Sequence, residues 1–196
     1  MSIAVAIAKT APCLNLYLCR LGNIVTVSFI SLDSAERIKR PFGEVYYFPI
    51  ADGLPDLPIF SEVIDLFAFR RRKAPVPQKT SFNFRDLRGW HARFSLTKFN
   101  DDYSDGQIRI LGEDYKMLFG GALKQGMSMS DTDNEKLPGL VQYFGQLLTR
   151  PAIGYFTGSL PEMGREHVKA DILDFPATDA EGRNRFILSF IRERVR

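Results

Sequence analysis

The chain has 196 residues, 45% of them hydrophobic, 12% aromatic and 25% charged, which is the composition of an ordinary globular domain. Lys and Arg number 26 against 23 Asp and Glu, a net charge of +3, so the basic surplus that marks a nucleic-acid binder is absent. Two Cys and two His exclude a disulfide-rich secreted scaffold, and they make a four-ligand zinc site only if both pairs converge.

The run Ile3 to Ala8 follows Ser2 with no basic segment before it and is too short for a signal-peptide core. Later apolar runs, Leu14 to Cys19 and Ile24 to Ile30, are interrupted by Asn15, Arg20 and Asn23. No stretch approaches the ~18 apolar residues of a membrane span, so a soluble, cytoplasmic protein is expected. Cys13 and Cys19 have neither C-x-x-C nor zinc-knuckle spacing and read as packed thiols. The β-branched stretch Ile24 to Ile30 predicts a strand, and Val45 to Ile50 a second. Residues 1–51 are taken as an N-terminal extension of unspecified structure.

Turn formers from Asp52 to Pro58 mark a boundary, placing the main domain at residues 52–196. Ile59, Phe60, Val63, Ile64 and Phe67 then recur at helical spacing. Pro58 suits the first turn, and the cations Arg70 to Lys73 suit the end favoured by the helix dipole. A helix over about 59–73 is expected, stopped by Pro75 and Pro77. Its four terminal cations read as a solvated helix end rather than a phosphate site.

In the following segment Ala92, Phe94 and Leu96 alternate with Arg93, Ser95 and Thr97, as in a half-buried strand. The acidic stretch Asn100 to Gly106 turns the chain back into Gln107 to Leu111. Counted from Asp101, Tyr103 and Gly112 occupy positions where a calcium loop needs ligands, so a turn is expected and not a metal site. Gly112 to Gly121 predicts a short helix, and Leu140, Val141, Phe144, Leu147 and Leu148 a longer one ending before Pro151. Three strands close the chain: Ala152 to Ser159, a second around His167 to Ile172, and Phe186 to Ile191. The last is apolar on both faces and needs cover on both.

At this point the segment resembles a PAS domain, closest to a bacterial PAS-like family of short, single-domain alphaproteobacterial proteins. The resemblance rests on Arg109 to Asp114, Leu118 to Gly121 with Gly126, Pro151 to Tyr155, Asp171 to Ala177 and the closing apolar strand. Val63 to Lys73, Pro77 and Asp86-Leu87 look like that family's N-terminal cap. It implies an α+β fold: a five-stranded antiparallel sheet, helices on one face enclosing a pocket, and a capping helix with a dimer partner on the other. Periodicity places Tyr115, Phe119, Phe144, Ile153, Tyr155 and Ile172 around the pocket. It assigns Ile59, Phe60, Val63, Ile64, Phe67, Phe186, Leu188 and Phe190 to the dimer or cap interface.

The usual cofactors fit poorly. A flavin-thiol photosensor needs a Cys in a G-R-N-C-R-F segment, and Gly182-Arg183-Asn184-Arg185-Phe186 lacks it. Haem needs a helix His, whereas His91 and His167 fall in or beside strands. No ligand can be named, and no catalytic or metal-binding residue is expected: neither His has a nucleophile or a recognisable motif beside it. The expectation is a homodimeric sensory or regulatory module. It binds a small ligand or a partner protein and signals in trans, without nucleic acid or a membrane span. The alternatives are a dimerisation scaffold and, third, a small isomerase or hydrolase with an acid or base in an apolar pocket.

Overall fold

The computed structural model of the chain describes residues 5–10, 13–20, 23–71, 74–133, 139–160 and 167–194. The packing expected of Cys13 and Cys19, and the placement of Arg72 and Lys73, lie outside what is described. Strands β1 (Val5–Thr10), β2 (Cys13–Arg20) and β3 (Asn23–Ile30) form an antiparallel meander. A hairpin follows, β4 (Glu36–Arg40) and β5 (Gly43–Pro49). The two-residue β6 (Leu54–Pro55) then pairs parallel with β3. Helix α1 (Ser61–Arg71) is entered through a 3-10 turn, Pro58–Phe60. Strands β7 (Phe94–Phe99) and β8 (Gly106–Leu111) come next, then α2 (Glu113–Leu118), α3 (Ser130–Asp133) and α4 (Leu140–Thr149). The chain finishes with β9 (Ala152–Ser159), β10 (Lys169–Thr178) and β11 (Asn184–Glu193).

The main sheet is antiparallel, and among the described residues it has seven strands, in the order β4-β5-β9-β10-β11-β7-β8. This corrects the expected five. The five are all present and adjacent, from β9 to β8, but the N-terminal hairpin adds two more at the β9 edge. Strand β5 pairs with β9 from Gly43↔Gly158 to Pro49↔Ala152. Two strands that are half of an amphipathic pattern in isolation thus gain a ladder and a core face from a segment more than a hundred residues later.

Both sheet faces are covered by the same chain. On one face α1 lays Val63, Ile64 and Phe67 against Leu173, Phe175, Leu188 and Phe190. Phe67 stacks on Phe175 with ring centroids 4.6 Å apart, and Phe60 stacks on Trp90 at 5.7 Å. The Trp90 indole N–H donates to Glu62 at 3.0 Å, fixing the ring between α1 and the sheet. Arg70 pairs with Asp86 at 2.5 Å, holding the C-terminal end of α1 to the following loop. The opposite face is covered by α2, α4 and the loop between α2 and α3, around Phe99, Tyr115, Phe144, Leu147 and Ile187.

The sheet ends are closed by specific backbone contacts. Beyond β8, Ile108 donates to Met127 O at 3.0 Å and Met129 donates to Gly106 O at 2.7 Å, so the loop after α2 covers an otherwise open edge. Pairing of β10 with β9 stops at Asp174, two residues before Pro176, which has no N–H to offer a ladder. Gly182 and Arg183 lie in the turn from β10 to β11, as expected, with Gly182 at φ +82, and Asn184 begins β11. The acidic segment before β8 is also a turn, and among the described residues no cluster of His, Cys, Asp and Glu could hold a metal ion. No helix among them is long and apolar enough to cross a membrane.

Candidate functional site: a cavity with a buried carboxyl

Between the sheet and the α2–α4 layer lies a cavity of about 470 Å3. Its walls are mostly apolar: Ile108, Phe119, Leu123, Met129, Phe144 and Ile172. Its rim includes the exposed turn Arg40-Pro41-Phe42 between β4 and β5, so the N-terminal hairpin contributes to the cavity as well as to the sheet.

The polar side of the cavity is organised around Asp174. The strand alternation that points Leu173 and Phe175 toward α1 points Ile172 and Asp174 toward the cavity. Asp174 is 2% exposed. The Tyr143 hydroxyl on α4 donates to its Oδ2 at 2.8 Å, and the Ser189 hydroxyl on β11 donates to its Oδ1 at 2.5 Å. Burial pushes the carboxyl up to about 6, while the bonds from Ser189 and Tyr143 pull the other way. Burial, reinforced by the Asp174 charge, pushes the Tyr143 and Tyr115 hydroxyls well up, so both remain protonated donors at neutral pH. Ser95 and Thr97 on β7 complete the polar lining of the sheet, with Ser95 donating to Ile110 O at 3.2 Å.

Helix α4 reaches Asp174 because β9 carries a glycine beneath it. A Cβ on Gly154 would lie 1.9 Å from the Tyr143 hydroxyl oxygen and 2.9 Å from Leu147 Cδ1. Tyr47 on β5 donates from its hydroxyl to Gln146 Oε1 at 3.1 Å and ties the far side of α4 to the sheet. On the other flank, Asp105 accepts from the Gly106 and Ser130 amides at 2.7 and 2.9 Å and from the Ser128 hydroxyl at 2.5 Å. Those bonds hold the loop that brings Leu123 and Met129 to the cavity.

Of the six pocket residues expected from periodicity, Tyr115, Phe119, Phe144 and Ile172 line the cavity. Ile153 and Tyr155 do not. Tyr155 pairs in register with Leu173, not Ile172, so both face α1, where the Tyr155 hydroxyl donates to Asp171 at 2.9 Å. Among the interface candidates, Phe60, Val63, Ile64, Phe67, Leu188 and Phe190 are buried within the single chain, Phe186 is half-buried and Ile59 is 42% exposed. The cover that the two-sided last strand requires comes from α1. His91 sits in a 3-10 turn stacked on Phe84 at 3.8 Å, and His167 is exposed; neither lines the cavity.

Asp174, Tyr143 and Ser189 were not singled out from sequence. The available signal was an acidic residue in the middle of Ile172-Leu173-Asp174-Phe175, a strand apolar on both faces. A carboxylate there must be bonded inside the protein, because burying it unpaired costs several kcal/mol on the order of a full desolvation.

No family model matches the chain, and no curated protein matches it. Among solved structures it is similar to the crystal structure of a sensory box sensor histidine kinase from Vibrio cholerae. Identity is 12%, with 71% of this chain and 99% of that chain covered and a TM-score of 0.39. So loose a likeness establishes neither a family nor an activity.

Proposed function

We propose that the protein is a sensory or regulatory module with a PAS-like domain, which holds a small ligand between its sheet and its α2–α4 layer and passes the signal to a partner protein in the cytoplasm. The observation that carries this reading is the cavity itself. A small core of this size closes on its own side chains, and a space of about 470 Å3 lined by apolar groups with a few convergent polar ones is the usual form of a small-molecule site. The adjacent strands β9-β10-β11-β7-β8, with α2 and α4 gathered on one face and α1 on the other, also agree with the architecture the PAS resemblance implies. Helix α1 spans the opposite face, and a ligand that shifts the sheet residues lining the cavity would shift the strands α1 rests on.

The test is native mass spectrometry of the purified protein, followed by denaturing extraction. A discrete added mass that is lost on denaturation is the expected result, and Ile172→Trp, which fills the cavity, abolishes it. A protein without an adduct, whose melting temperature no fraction of a small-molecule extract raises, would overturn the reading.

A second reading is favoured by one observation. A carboxyl poised at about 6 beside a tyrosine hydroxyl in an apolar cavity is also what a proton-transfer enzyme such as an isomerase needs. Turnover of a carbonyl substrate that is lost in Asp174→Asn would decide for it.

A further inference from the structure

Among the described residues the cavity has one anionic wall group and no cation to match it inside. Asp174 and Arg40 are the charged residues that line it, and Arg40 stands on the exposed rim turn. Among the described residues the groups bonded to Asp174 are two hydroxyls, each giving one hydrogen bond to a different carboxylate oxygen. Each oxygen therefore keeps a lone pair free to accept again. A buried carboxylate satisfied only by neutral donors still lacks its counter-charge, and the low-dielectric surroundings make that charge the strongest recognition element in the site.

We propose that the cavity binds a small organic amine, with its ammonium on Asp174 and its aromatic or branched apolar body against Phe119, Phe144 and Ile108. This rests on the reading of the cavity as a ligand site and adds the ligand's charge and shape. An ammonium offers both missing features, a positive charge and several N–H donors, at the two carboxylate oxygens. The aromatic rings of Tyr115, Tyr143 and Phe119 around the same space suit a cation better than they suit an anion. A carboxylate ligand would meet Asp174 with like charge, and a hydrocarbon would leave the carboxylate desolvated without a counter-charge. About 470 Å3 lies toward the small end of the ~300–1,000 Å3 typical of small-molecule sites, so the body is of the order of one ring or one branched chain.

Binding of such an amine depends on pH through Asp174. The titratable groups facing it are Tyr47 from β5, Tyr115 from α2 and Tyr143 from α4, all pushed upward and neutral through this range. The remaining neighbours, Ser95, Thr97 and Ser189, do not titrate there, and the other charged group lining the cavity among the described residues is Arg40 at the rim. Affinity for an amine accordingly rises as pH increases from 5 to 7.5.

The experiment is isothermal titration of 2-phenylethylamine, 2-phenylethanol and 3-phenylpropionate into the full chain, wild type and Asp174→Asn. The expected result at pH 7.5 is that the amine binds at least about ten-fold tighter than the alcohol, a margin of one paired charge, and that the acid binds weakest. Asp174→Asn brings the amine down to the level of the alcohol, and lowering the pH to 5 weakens the amine roughly ten-fold in the wild type. An alcohol or acid that binds as tightly as the amine, or an amine unaffected by Asp174→Asn, overturns the amine assignment and leaves the cavity as a ligand site. If none of the three binds, the amine assignment falls, and adducts in native mass spectrometry decide the cavity reading on their own.

Discussion

The Tyr143 hydroxyl donates to Asp174 Oδ2 at 2.8 Å and so ties helix α4 to the middle strand of the seven-stranded sheet. This bond closes one side of the cavity and sets the chemistry of its buried acid. It also makes the cavity wall and the charge state of Asp174 interdependent.

Asp174 lowers stability as pH rises. Its folded carboxyl holds a proton up to about 6, against an ordinary 3.8. Between those values the native state binds more protons than the unfolded chain, so stability falls as pH increases through that window and is flat above it. The shift is worth on the order of 3 kcal/mol. Urea denaturation of wild type and Asp174→Asn at pH 4 and pH 8 isolates it: the variant gains relative to wild type at pH 8 and gains little at pH 4. A constant difference at both pH values would contradict the assignment.

Gly154→Ala is expected to destabilise by about 1–3 kcal/mol, because the new Cβ would overlap the Tyr143 hydroxyl and α4 must move. Tyr143→Phe removes the overlapping oxygen but also a donor to a buried acceptor, costing about 1–3 kcal/mol alone. In the double variant the two effects partly cancel, with a coupling of about 1 kcal/mol measurable in a double-mutant cycle. Strict additivity would show that the close approach of α4 to β9 is not what requires the glycine.

Covering of the sheet by α1 is an intramolecular matter. Phe67→Ala removes the ring stacked on Phe175 and is expected to cost about 3–5 kcal/mol, with a coupling of about 0.5–1.5 kcal/mol to Phe175→Ala. Phe190 is 1% exposed within the single chain, so Phe190→Asp abolishes the fold itself, seen as loss of the near-ultraviolet dichroism of Trp90. A folded Phe190→Asp protein of reduced oligomeric mass would return that residue to an interface between copies.

Asp105→Ala frees the loop that brings Leu123 and Met129 to the cavity. Burial raises the Asp105 carboxyl, but the bonds from Ser128, Ser130 and Gly106 outweigh it and hold the group below its ordinary value. A lowered folded value means the bonds stabilise at neutral pH and are lost as pH falls below the ordinary 3.8. The substitution is expected to cost about 1–2 kcal/mol at pH 7. It should also speed amide exchange at Gly126 to Ser130, read by hydrogen-exchange mass spectrometry, and leave exchange in α1 unchanged.

Element identity was legible where local physics decides it. The helical recurrence of Val63, Ile64 and Phe67 became the buried side of α1, the stripe from Leu140 to Leu148 became α4, and the Asp- and Gly-rich stretches became turns. Backbone propensity, apolar spacing and the dipole act within a turn or two of chain, and a single sequence records them directly. The strand Phe186 to Ile191 likewise announced that both of its faces would be covered, because no water-facing residue breaks the run.

What covered those faces was decided by tertiary structure. Alternation tells which residues of one strand share a face, but the phase between strands depends on register, and register is a property of the pairing. Tyr155 opposite Leu173 turned Ile153 and Tyr155 away from the cavity, whereas Ile172 and Asp174 turned toward it. The pairing of β5 with β9 likewise drew Val45 and Tyr47, expected as a strand but without a partner, into the cavity-side core. Asp174 is by sequence one of two acids, with Asp171, in a largely apolar strand; it becomes a site only where Tyr143 and Ser189, 31 and 15 positions away, converge on its two oxygens.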